Sequence, residues 1–153
     1  MVIVIESERN RIGMKLKGTI GSLKSKQEEV TSDVTSICKE FEDFILKTRC
    51  ASLCISQVGI HKRIVGVKTR DRKRVTIMVN PVITKTSKWM QKKHRESCIS
   101  AKGSIFADVS RPMAITVQYM SPDLSKVKKK HFYRRGAAAA CHVIEMCDGK
   151  LIK

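Results

Sequence analysis

No stretch of about 18 apolar residues occurs in this chain of 153, so a membrane-spanning helix is excluded. No C-x-x-C pair occurs either: Cys50 and Cys54 lie four apart and Cys141 and Cys147 six apart, so the paired pattern of a zinc ribbon is missing. The apolar opening Met1–Glu6 is too short for the core of a signal peptide, and a secretory route is not expected. Aromatic residues are scarce, at 5%. No internal repeat is visible. The six cysteines are read as reduced thiols, several of them buried as small hydrophobes, which suits a reducing interior such as cytosol or an organelle matrix. Against these absences, 42% of the residues are apolar, and the length suffices for one core.

Acidic residues run short in one part of the chain only. Residues 1–60 hold 9 basic and 8 acidic side chains, whereas residues 61–153 hold 22 and 6, and the whole chain carries +17. A surface so one-sided repels itself and suits a polyanion, of which nucleic acid is the commonest. Three basic segments carry the expected RNA contacts. The first contributes Lys62, Arg63, Arg72, Lys73 and Arg74, and the second Lys88, Lys92, Lys93 and Arg95 beside Trp89. The third contributes Lys126, Lys128, Lys129, Lys130, Arg134 and Arg135, interleaved with Phe132 and Tyr133. Lysine and arginine neutralise phosphates, and an aromatic ring can stack on an unpaired base. A solvated charged face explains any single run equally well, and no recognised RNA-binding motif occurs.

Periodicity predicts a helix over about Ser32–Arg49, with Val34, Ile37, Cys38, Phe41, Phe44 and Ile45 on one face and Thr31, Ser32 or Asp33 as N-cap. Short β-branched runs predict strands at Ile64–Val67 and at Val75–Val79, the second stopped by Asn80-Pro81, with Lys68–Arg74 as the loop between them. Pro112–Tyr119 alternates with Ile115, Val117 and Tyr119 on one face, and Ser121-Pro122-Asp123 is a turn. The alanines 137–140 lead into a final helix ended by Asp148-Gly149. Helix, several strands and helix make an α+β domain. Residues 1–25 are read as an N-terminal extension and residues 26–153 as the domain.

Four segments in order carry a family resemblance. Cys50-Ala51-Ser52-Leu53-Cys54-Ile55-Ser56-Gln57, followed by Val58-Gly59-Ile60, resembles the G-x-G-L-A-A-x-Q and V-G-I of peptide deformylases. Asn80-Pro81-Val82-Ile83 is similar to their N-P-x-I, and Glu96-Ser97-Cys98-Ile99-Ser100 to E-G-C-L-S, with Val109-Ser110-Arg111-Pro112 following. Cys141-His142-Val143-Ile144-Glu145-Met146-Cys147-Asp148-Gly149 is similar to Q-H-E-x-D-H-L-x-G. The resemblance implies an N-terminal helix, antiparallel sheets and a C-terminal helix carrying the third motif. It also implies a divalent metal held by the cysteine of the second motif and two helix-borne histidines, removing formyl groups from N-terminal methionine.

Cys98 and His142 are present, but Met146 stands at the second histidine and Val143 at the glutamate that moves protons. A thioether binds hard or borderline divalent ions poorly. Loss of a positioned acid–base costs about 10²- to 10⁴-fold in rate. The expectation is therefore no catalytic residue, no metal and no cofactor, with Ser52, Leu53, Gln57, Cys98, Ile99, His142, Val143 and Met146 as the remnant of a pocket. Cys98, His142 and Met146 could instead suit a soft ion such as Cu(I). The function expected is that of a non-catalytic, basic ribosomal protein, mitochondrial or else cytoplasmic. Its expected partners are ribosomal RNA and ribosomal proteins, with no membrane and no small-molecule substrate. Because Lys153 closely follows the third motif, no C-terminal helical tail of the kind some deformylases use on the ribosome is expected. The alternatives are a divergent metal-dependent deformylase and a formyl-peptide-binding module without activity.

Overall fold

A computed structural model describes residues 2–6, 11–15, 26–97 and 106–149. Strands β1 (Val2–Glu6) and β2 (Arg11–Lys15) form an antiparallel hairpin. Helix α1 (Thr35–Lys47) follows, then β3 (Ser52–Cys54), a 3-10 turn (Ile55–Val58), β4 (Ile64–Lys68) and β5 (Val75–Thr86). Next come β6 (Met90–Ser97), β7 (Phe106–Pro112), β8 (Ala114–Met120), β9 (Val127–Tyr133) and α2 (Arg135–Cys147). The central sheet has the order β3-β4-β5-β8-β9, and every neighbouring pair in it is antiparallel. β6 and β7 make a separate hairpin. Among the described residues no helix is long and apolar enough to cross a membrane.

The two helices cover opposite faces of the sheet, and the strand alternation decides which residue meets which helix. Ile64 and Val79 join Cys38, Phe41 and Ile45 of α1 in one core cluster. Val65, Val67, Met78, Ile115, Val117 and Phe132 join Val143, Ile144, Met146 and Cys147 of α2 in the other. This explains why β4 reads as a continuous apolar run: it is buried on both faces. A Cβ on its Gly66 would crowd the side-chain ends of Ile45 and Ile77, which would have to shift.

The expected helices are present, with α1 burying Cys38, Phe41 and Ile45 at helical spacing. Asp33 serves its first turn, accepting hydrogen bonds from the Thr35 backbone N–H at 2.8 Å and hydroxyl at 2.5 Å. Strand β5 is a correction: it runs through Asn80-Pro81 instead of stopping there. A register irregularity between Val79 and Val82 absorbs the proline, and Asn80 takes a left-handed φ of 50°. The Asn80 side chain is anchored to Val30, accepting its N–H at 2.8 Å and donating to its carbonyl at 2.9 Å. Strand β9, along the sheet edge, is a further departure. Its lysines obscured the alternation that buries Phe132 while Tyr133 stays exposed.

Candidate active site

The first motif is split between the two sides of the sheet. Leu53 packs in the α1-side cluster, whereas Cys54 lies in the α2-side cluster. Ser52, half-buried, donates its hydroxyl to the carbonyl of Ala139 on α2 at 3.0 Å. The 3-10 turn then places Gln57, which is 2% exposed. Its Oε1 accepts the Cys54 N–H at 2.9 Å, which fixes the amide with its nitrogen as the donor end. Gly59 ends the turn at φ 91°.

Helix α2 carries the third motif. Ala139, His142 and Glu145 recur every three residues as its half-buried stripe, while Val143 and Met146 are fully buried. Glu145 Oε1 lies 2.5 Å from Arg111 Nη1, joining α2 to the V-x-R-P segment on β7. Arg63, expected at an RNA surface, is instead 9% exposed and structural. Its guanidinium reaches Asp148 Oδ1 at 2.9 Å, the Cys147 carbonyl at 3.3 Å and the Pro81 carbonyl at 3.2 Å. It thereby ties β4 and β5 to the end of α2. Sequence reasoning gave no role to Glu145 and read Asp148 only as a helix end; that each meets a buried arginine is visible only in three dimensions.

The first and third motif segments meet at a thiol pair, with Cys54 Sγ 3.5 Å from Cys147 Sγ and accepting the Ser56 hydroxyl at 3.1 Å. Burial opposes a Cys54 thiolate, but hydrogen bonds from Cys147 and Ser56, with Arg63 nearby, hold its pKa below the ordinary thiol value. The hydrogen bond to Cys54, together with burial, pushes Cys147 up. Burial raises Cys38 to about 12.

Cys98 and Ile99 lie outside the described residues, and among those described no cluster of three histidine, cysteine or acidic side chains could hold a metal. His142 is the imidazole that α2 offers; Met146, one turn on, contributes a fully buried thioether. That donor set does not fit the hard or borderline divalent ion implied by the motifs.

A family model described as polypeptide deformylase matches residues 17–153. The chain belongs to the polypeptide deformylase family. It is similar to peptide deformylase 2 of Xanthomonas axonopodis pv. citri, at 37% identity over 102 residues, or 65% of this chain and 56% of that protein. The chain thus spans about half the length of that curated relative. It is also similar to a probable peptide deformylase from Synechococcus phage S-SSM7, at 30% identity and a TM-score of 0.75, covering 91% of this chain and 97% of the other. A peptide deformylase from Plasmodium falciparum superposes with a TM-score of 0.78 at 25% identity, covering 90% and 83%. The deformylase-like α+β fold read from the sequence is the fold observed.

These findings correct the functional expectation. The agreement among the named relatives and structural neighbours, all peptide deformylases, favours the deformylase alternative. It does not point to a non-catalytic, RNA-binding ribosomal protein with ribosomal RNA and proteins as partners. The geometry shows why the charge misled. Arg63 is committed inside the fold, and Phe132, a supposed stacking ring, is 6% exposed. Lys62 pairs with Glu28 at 2.7 Å and Lys130 donates to Thr76 at 2.8 Å. Arg72, Lys73 and Arg74 sit in the exposed turn between β4 and β5, and Lys126, Lys128 and Lys129 lie along the β9 edge, where charge discourages strand pairing with other chains. Lys88, Lys92, Arg134 and Arg135 are exposed, and the side chains of Lys93 and Arg95 lie outside the described residues.

Proposed function

We propose that the chain is a divergent hydrolase of the deformylase class that removes the formyl group from N-terminal formyl-methionine peptides. The family match over residues 17–153 carries the reading. The retained motif residues support it: Gln57 is held by a backbone N–H, and His142 lies on the half-buried stripe of α2. Gln57 orients the formyl oxygen by donating from its amide nitrogen, and the wall formed by Ser52 and Ala139 positions the peptide beside the helix. Proton transfer does not run through Val143, whose side chain has no ionisable group. The missing acid–base alone accordingly slows turnover by about 10²- to 10⁴-fold.

Formate release from formyl-Met-Ala-Ser tests this directly. The wild-type chain should release formate above a heat-inactivated control, and Gln57→Ala and His142→Ala should each reduce the rate at least about tenfold. Equal rates in the wild type and both folded variants would remove the site from the reaction. No release by the wild type would end the proposal.

A further inference from the structure

Cys54 and Cys147 are far apart in sequence, separated by 93 positions, yet their sulfur atoms stand 3.5 Å apart. Both are fully buried. Neither belongs to the metal-binding set of the motifs: Cys54 stands at an alanine of G-x-G-L-A-A and Cys147 at the leucine of H-L-x-G. A small and a large apolar residue have been exchanged for two thiols in contact. Closing that contact to the roughly 2.05 Å of a disulfide asks for about 1.5 Å of movement.

We propose that Cys54 and Cys147 are a reversible oxidation site that forms a disulfide when the protein meets hydrogen peroxide. Cys54 is the sulfur that reacts first, because it accepts the Ser56 hydroxyl and shares the S–H of Cys147. Its thiolate attacks one peroxide oxygen; the O–O bond breaks, an S–O bond forms, and hydroxide leaves to be protonated to water. Cys147, 3.5 Å away, then attacks the sulfur of the Cys54 sulfenic acid. The S–S bond forms, the S–O bond breaks, and hydroxide leaves with the Cys147 proton as a second water. Two thiols are oxidised and one peroxide is reduced. A dithiol reverses the reaction by exchange. The short distance to Cys147 makes disulfide closure faster than further oxidation of the sulfenic acid. The bond would join the strand that leads to Gln57 to the helix that carries His142, tying together the two elements of the proposed site.

The test is a digest of peroxide-treated, alkylated wild-type protein without reduction. Trypsin releases residues 50–62 and 136–150, each holding a second cysteine, Cys50 and Cys141 respectively. The two peptides should appear cross-linked in most molecules and separate after dithiothreitol. The cross-link should persist in Cys50→Ser and Cys141→Ser. It should vanish in Cys54→Ala and in Cys54→Ala/Cys147→Leu, whose paired residues are those of the motifs and whose circular dichroism should remain that of the folded wild type. Exposed Met90, at 54%, is an internal gauge of peroxide exposure. The proposal is overturned by a link through Cys50 or Cys141, by sulfinic acid at Cys54 without a link, or by intact thiols in protein whose Met90 is fully converted to sulfoxide.

Discussion

Replacing Glu145 with glutamine should destabilise the fold more than replacing Arg111 with methionine, although both remove the same ion pair. The Arg111 side chain is 7% exposed and that of Glu145 40% exposed, with Nη1 and Oε1 2.5 Å apart. The guanidinium has given up most of its water and cannot shed its proton, so losing the carboxylate takes a neutralising group away from a buried charge. Breaking a fully buried pair costs about 3–5 kcal/mol, whereas an exposed pair contributes about 0.2–1 kcal/mol. One partner is open here and glutamine still accepts a hydrogen bond, so Glu145→Gln is placed at about 2–3 kcal/mol. Arg111→Met leaves a carboxylate that water reaches, while the methionine stem refills the packing, which gives about 1–2 kcal/mol. For a chain of this size each kcal/mol moves Tm by about 2–4 °C, so the variants should separate in thermal and urea unfolding. A reversed order, or both variants within about 0.5 kcal/mol of wild type, would refute the assignment of this pair as the tie between β7 and α2.

Gly66→Ala should destabilise by about 1–3 kcal/mol, because its new Cβ would meet Ile45 Cδ1 at 2.3 Å and Ile77 Cδ1 at 3.0 Å; urea unfolding reads the cost. Arg134 precedes α2 at φ 51° and ψ −118°, a conformation that favours glycine, so Arg134→Gly should raise stability by about 1 kcal/mol, and an unchanged or lowered Tm would deny that strain. Hydrogen bonds from Ser125 and Ser121 lower Asp123 from 3.8 to about 2. The stability it supplies is present above its unfolded pKa and is lost as pH falls from about 4 towards about 2. Asp123→Asn should flatten that part of the acid-unfolding curve, measured by circular dichroism.

α1 and β8 were legible from the spacing of their buried residues, Cys38, Phe41 and Ile45 in α1 and Ile115, Val117 and Tyr119 in β8, and α2 from its alanine run. β9 was not legible, because an edge strand that exposes Lys128 and Lys129 and buries Phe132 offers too few apolar positions to show a period. The end of β5 was misplaced because Asn80-Pro81 normally stops a strand. Here the Asn80 side chain compensates with two hydrogen bonds to Val30, a partner 50 residues away that no local rule sees. In the site, the motif positions were readable from the resemblance to deformylase segments, but the side of the sheet each residue faces was not. Leu53 was grouped with the pocket and instead packs under α1. Net charge was the least reliable guide to function, since it counts Arg63, buried against Asp148, the same as a surface lysine.

The central claim is tested most directly by incubating the chain with an equimolar mixture of formyl-Met-Ala-Ser and acetyl-Met-Ala-Ser and following both by mass spectrometry. A deformylase-class hydrolase should convert the formyl peptide to free Met-Ala-Ser while the acetyl peptide persists, and Gln57→Ala should lose the conversion. Survival of both peptides, or loss of both at equal rates, would contradict the account.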